Sequence, residues 1–144
     1  MRPRVAWVLG LALMASLLGG AFVGDQMFDL FGNRARACER VLVDTAQGVP
    51  GVLSAEADCS LQFGGGWQRQ RVRLAAATQE EAYPIVELVL RAFAANGGIQ
   101  DSWRTPQVFE LTTGETVKSL ESMGFNGTPQ VREVRSHYGI QPVR

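Results

Sequence analysis

The chain predicts an α+β fold: a small antiparallel three-stranded sheet, ordered α-β-β-α-β along the chain, with helices on one face. Two extra C-terminal helices and an N-terminal membrane helix complete it. Three observations carry this. Residues 5–23 form an apolar run free of charge. Residues 53–63 alternate apolar and polar side chains with the period of a strand. The stretches before and after them repeat apolar residues at helical spacing.

The apolar run, "VAWVLGLALMASLLGGAFV", is 19 residues long. As a helix it spans about 28 Å, close to the roughly 30 Å hydrocarbon core of a bilayer. Arg2 and Arg4 precede it and Asp25 and Asp29 follow it, which sets the amino terminus inside and the remainder outside the cytoplasm. A cleaved signal peptide is the rival reading of the same segment, with Gly19-Gly20-Ala21 as a small-residue cleavage site. Residues 1–24 are therefore a signal anchor or signal peptide, 25–32 a juxtamembrane piece, and 33–144 an extracytoplasmic domain large enough for one modest core. If the segment is cleaved, the domain is secreted; if not, the protein is a single-pass protein of a bacterial cell membrane. Ala12, Ser16 and Gly20 fall four apart, a face that would let two membrane helices approach as a homodimer, the bland alternative being the small-residue richness of signal segments in general.

Asn33 is a reasonable N-cap for the first helix, in which Cys38, Val41, Leu42, Thr45 and Ala46 make one buried stripe and Gly48 and Pro50 end it. Leu53, Ala55, Ala57, Cys59, Leu61 and Phe63 then form the inner face of a strand. In the next strand Val72, Leu74 and Ala76 alternate with Arg69, Arg71 and Arg73. A register that sets Cys59 opposite Val72, Ala57 opposite Leu74 and Asp58 opposite Arg73 keeps apolar residues on one side. It leaves Gly64 to Trp67 as the connection. Because Gly64-Gly65-Gly66 leads from strand to strand, the glycines are turn residues and not a phosphate cradle, which needs a helix N-terminus.

Thr78 to Glu81 reads as a capping box for a second helix with Ala82, Ile85, Val86, Val89 and Phe93 inward. Pro84 then requires either a start nearer Tyr83 or a distorted first turn, and Asn96-Gly97-Gly98 ends the helix. The third strand centres on Val108 to Thr112. A short helix capped by Thr113 carries Val117, Leu120 and Met123, and a last one has Thr128 as N-cap, Pro129 first and Gly139 as stop.

After Arg2 and Arg4, the chain holds 12 basic against 14 acidic residues, a mildly acidic balance that argues against nucleic acid as a partner. Cys38 and Cys59 both point into the layer between first helix and first strand. In an oxidising compartment they can form a structural disulfide, two buried thiols being the alternative; without C-x-x-C spacing a redox pair is disfavoured. His137 is the only histidine and no Cys/His/Asp cluster has ligand spacing, so no metal, no cofactor and no catalytic residue is expected. His137 suits the C-terminal dipole of its helix, and Glu80 and Glu81 suit capping. What remains is the outer face, where Trp67, Arg69, Arg71 and Arg73 form a candidate binding face. Its partners would be an anionic lipid headgroup, a cell-wall polymer or an envelope protein; a solvated face paired with nearby acids is the bland alternative.

The order helix, strand, strand, helix, strand over Asn33 to Thr113 resembles that of BON modules, which are associated with membrane or phospholipid contact. The resemblance implies an α+β domain close to a membrane. The chain has Ala75-Ala76-Ala77 where those modules carry a glycine after the second strand's apolar core, so no functional residue is carried over. The sequence thus points to a non-catalytic interaction module, with an accessory subunit of a cell-envelope complex as the alternative and an enzyme as a remote one.

Overall fold

The computed structural model describes residues 32–62 and 65–144. The apolar run and the juxtamembrane piece to residue 31 lie outside the described residues, as do Ala12, Ser16 and Gly20. Among the described residues no helix is long and apolar enough to cross a membrane.

The first helix, α1, covers residues 32–47 of the described chain. Asn33 is therefore inside the helix and not its N-cap, because Gly32 is already helical. Cys38, Leu42 and Ala46 are buried at i, i+4, i+8, with Val41 packed beside them. The chain reverses at residues 48–51, where Gly51 takes φ 93° directly under the Ile85 side chain. A Cβ there would lie 2.9 Å from Ile85 Cδ1, so glycine is required both for the turn and for the approach.

Strand β1 (Val52–Gln62) pairs antiparallel with β2 (Gly65–Leu74). The observed register places Cys59 opposite Gln68, Ala57 opposite Gln70 and Asp58 opposite Arg69. The expected partners Val72, Leu74 and Arg73 are each four residues away. A slip of four preserves every side chain's face, so the hydrophobic pattern cannot distinguish the two registers. The tighter connection decides it, since Gln62 pairs with Gly65. Gly65, Gly66 and Trp67 are thus strand residues and not loop, and of the three glycines only Gly64 lies beyond the paired strands, outside the described residues. A register shift between Val52 and Ser54 turns Leu53 outward, 56% exposed, against its expected inward place.

Helix α2 (Gln79–Ala95) starts at the capping box. Thr78 Oγ1 accepts from the Glu81 N–H at 3.2 Å, and Glu81 Oε2 reaches back to the Ala77 N–H at 2.8 Å. The helix runs through Pro84 without a later start; the proline stands on its exposed side. Ala82, Val86, Val89, Leu90, Phe93 and Ala94 are its buried face. Full burial of side chains such as Phe93 and Leu90 contributes about 1.5–3 kcal/mol each.

β3 (Val108–Glu110) pairs with β2 in parallel, giving a mixed sheet in the order β1-β2-β3 where an antiparallel one was expected. The physical reason is α2: a helix between two neighbouring strands carries the chain back to the end from which the first strand set out. The expected helix after Thr113 is absent too. Leu111 N–H donates to Glu115 O at 2.7 Å and Val117 N–H to Phe109 O at 2.9 Å, so the chain folds back along β3 through Gly114 at φ 87°. Only a 3₁₀ turn, Glu121–Met123, follows.

Helix α3 (Val131–Tyr138) opens at Gln130, not Thr128, with a reciprocal Gln130–Glu133 capping box. Thr128-Pro129 is drawn into an extended pairing instead: Pro129 O accepts from both the N–H and the hydroxyl of Thr105, and Val131 N–H donates to Trp103 O. Gly139 ends α3 at φ 63° as expected. Residues of all three helices join Cys59, Val72, Leu74 and Phe109 in one buried cluster, and among the described residues no helix covers the opposite sheet face.

Candidate functional site

β2 places Trp67, Arg69, Arg71 and Arg73 at alternate positions, all exposed, on the side of the sheet away from the core. Trp67 is 43% exposed, and the Arg69 guanidinium lies 4.8 Å from its ring centroid. Such a stack is worth about 0.5–1 kcal/mol at an exposed site and holds the guanidinium in a defined place. Arg71 Nη1 sits 3.6 Å from Glu110 Oε2, a surface pair that contributes about 0–1 kcal/mol and leaves the arginine 59% exposed. Arg73 lies between Ser54 of β1 and Glu110 of β3.

The face is more mixed in charge than the alternation of β2 alone implies. Across the ladder Glu56 stands opposite Arg71 and Asp58 opposite Arg69. A shallow groove between them is lined by Glu56, Asp58, Arg69, Arg71, Arg104 and Gln107, among others. Arg104 was not foreseen. It enters through the loop before β3, held by an amide relay: Gln70 Nε2 donates to Arg104 O at 2.9 Å, and Gln107 Oε1 accepts from the Gln70 N–H at 2.7 Å. Gln107 Nε2 in turn donates to Thr105 O at 2.8 Å. Gln70 is 4% exposed, and its Oε1 is buried without a partner. The signal for it was a glutamine at an inward position of the alternation, in line with Val72 and Leu74.

The two cysteines form a disulfide, Cys38–Cys59, that ties α1 to β1. Glu39, next to it, accepts from the Cys59 N–H at 3.2 Å. His137 packs against rings instead of polar groups, 4.7 Å from the centroids of both Phe125 and Tyr138. The guanidinium of Arg91 lies 4.0 Å from the Tyr138 ring centroid. Burial and the nearby Glu87 carboxylate push the Tyr138 hydroxyl above its ordinary pKa, against the lowering effect of Arg91. Glu81 is spent on capping. Among the described residues no group of three or more His, Cys, Asp or Glu side chains could hold a metal ion.

The face therefore presents guanidinium groups, one stacked indole and interleaved carboxylates. No protein-family model matches the chain, and no curated protein matches it.

Proposed function

We propose that the chain is a non-catalytic, membrane-anchored module whose extracytoplasmic domain binds an anionic component of the cell envelope, a lipid headgroup or a cell-wall polymer. The observation that carries this is the uncovered sheet face on which Trp67 and Arg69 stack beside Arg71 and Arg73. A disulfide suits an oxidising compartment, which supports a place outside the cytoplasm. The order of elements resembling BON modules supports contact with a membrane.

Binding to anionic vesicles tests the proposal. The full chain, held in neutral nanodiscs, is expected to sediment with phosphatidylglycerol vesicles and not with phosphatidylcholine vesicles, less so as salt is added. A basic side chain near an anionic surface is worth about 1 kcal/mol, so the combined Arg69→Ala, Arg71→Ala and Arg73→Ala variant should bind roughly a hundredfold more weakly. Unchanged binding by that variant defeats the proposal.

The interleaved Glu56, Asp58 and Glu110 favour a second reading, an accessory subunit of an envelope complex that docks a protein of mixed charge. The small-residue face of Ala12, Ser16 and Gly20 would then serve assembly within the membrane. Stability that depends on a partner, with no vesicle binding, selects this reading.

A further inference from the structure

Among the described residues β1 is an outer strand that pairs with β2 alone. Its free edge can be assigned atom by atom. Ala57 stands opposite Gln70, whose N–H points away from β1 to Gln107 Oε1. In an antiparallel ladder, both members of such a pair turn their main-chain groups outward, so the Ala57 N–H and C=O point away from β2. The Cys59 N–H, two residues on, leaves by the same edge and is taken by Glu39. By the same two-residue period Ala55 also presents its main-chain groups there.

Among the described residues the Ala55 and Ala57 main-chain groups on this edge have no partner. The register shift at Val52 and Ser54 closes one end of the window and Glu39 the other. Between them lie residues 54–58, about 17 Å of strand, without the proline or lysine that commonly blunts an edge.

Charge selects the occupant. The exposed side chains of the window are Ser54, Glu56 and Asp58, and the two carboxylates make no ion pair among the described residues. The strand already beside them, β2, brings Arg71 and Arg69 opposite those carboxylates. A second copy of the chain would instead bring its own Glu56 and Asp58 to the same edge, setting like charges close together. We propose that the β1 edge takes up, as a fourth strand, an extended segment of a partner protein carrying Arg or Lys at alternate positions. The small side chains of Ala55 and Ala57 leave room for the intervening apolar residues.

This deepens the reading of the chain as an interaction module and rests on it, but uses a different surface from the arginine face. The test uses the full chain in detergent micelles and a labelled short peptide in which arginine alternates with valine. Saturable, salt-sensitive binding is expected, weakened at least about tenfold by Ala57→Pro, since proline removes the outward N–H and fills the edge. The β1–β2 ladder does not use that N–H, so the melting transition should be retained. Should Ala57→Pro fail to fold, a peptide N-methylated at alternate residues makes the same test without altering the protein, and should lose binding likewise. Glu56→Gln with Asp58→Asn should weaken binding of the arginine peptide. Equal binding of the N-methylated peptide, equal binding of a peptide with glutamate for arginine, absence of saturable binding, or a dimer of the full chain that the peptide dissociates each overturns the proposal. Loss of peptide binding with vesicle binding intact defeats the edge alone; the reverse defeats the arginine face alone.

Discussion

Arg135 ties α3 to the end of α2 and the loop beyond it through four side-chain hydrogen bonds. Helix α2 ends with no basic residue in its last turn and with Asn96 in an extended conformation, so its final carbonyls lack the usual cap. Arg135, reaching across from α3, donates through Nε to Ala94 O and through Nη2 to Asn96 O and Ile99 O, each at 2.9 Å. Its Nη1 pairs with Asp101. The side chain is only 12% exposed, so removing it strands several carbonyls away from water. Arg135→Ala is expected to destabilise by about 3 kcal/mol in denaturant titration, and Arg135→Lys to recover only part of that, because an ammonium cannot match the planar fork. No local pattern singles out Arg135 in the sequence, because its partners lie about 40 residues away. Gln70 went unread although its position carries a signal: a polar residue in an inward place of the alternation points to a buried hydrogen-bonding role, while its partners depend on the fold.

At the scale of elements, α1 is joined to the sheet by packing and by one covalent bond. The loop closed by Cys38 and Cys59 spans a separation of 21 residues, for which the chain-entropy account gives about 3 kcal/mol. Reduction should lower the unfolding free energy by about that amount, read as a lower denaturant midpoint with a steeper slope as the unfolded chain expands, and Cys38→Ser with Cys59→Ser should reproduce it. The cysteine pairing was legible because each lay on an apolar stripe of its own element. So were the boundaries of α2 and the buried faces of α2, of β2 and of β1 beyond Leu53, since each rests on local period and capping chemistry; the start of β2 at Gly65 was not. What escaped was pairing across distance. The slip of four residues between β1 and β2 leaves every face unchanged, and the parallel β3 follows from where α2 returns the chain. Thr128-Pro129 fits a helix start locally, yet Thr105 claims its main chain for an extended pairing.

For the whole molecule, the described helices lie on one side of the sheet and the candidate site on the other, and the site divides by how each of its residues is placed. Its β2 arginines and tryptophan were readable from alternation alone; the opposing Glu56 and Asp58 needed the register, and Arg104 needed the loop. On the proposed anchoring, the chain should be recovered from the membrane fraction at its full 15.7 kDa. Thiol alkylation should add mass only after reduction. Recovery of a shorter, freely dissolved form would instead assign residues 1–24 to a cleaved signal peptide.

The Cys38–Cys59 bond also fixes how the domain bears tension. A pull arriving along the backbone from the amino end reaches Cys38 and crosses to Cys59 through sulfur, bypassing the intervening 20 residues. The later turns of α1, the reversal at Gly51 and most of β1 then carry no load. Force enters the sheet at Cys59, near its hairpin end, and of α1 only the turns ahead of Cys38 remain in the loaded path. A domain held on a short tether would thereby keep its shape under strain for as long as the sulfurs stay joined.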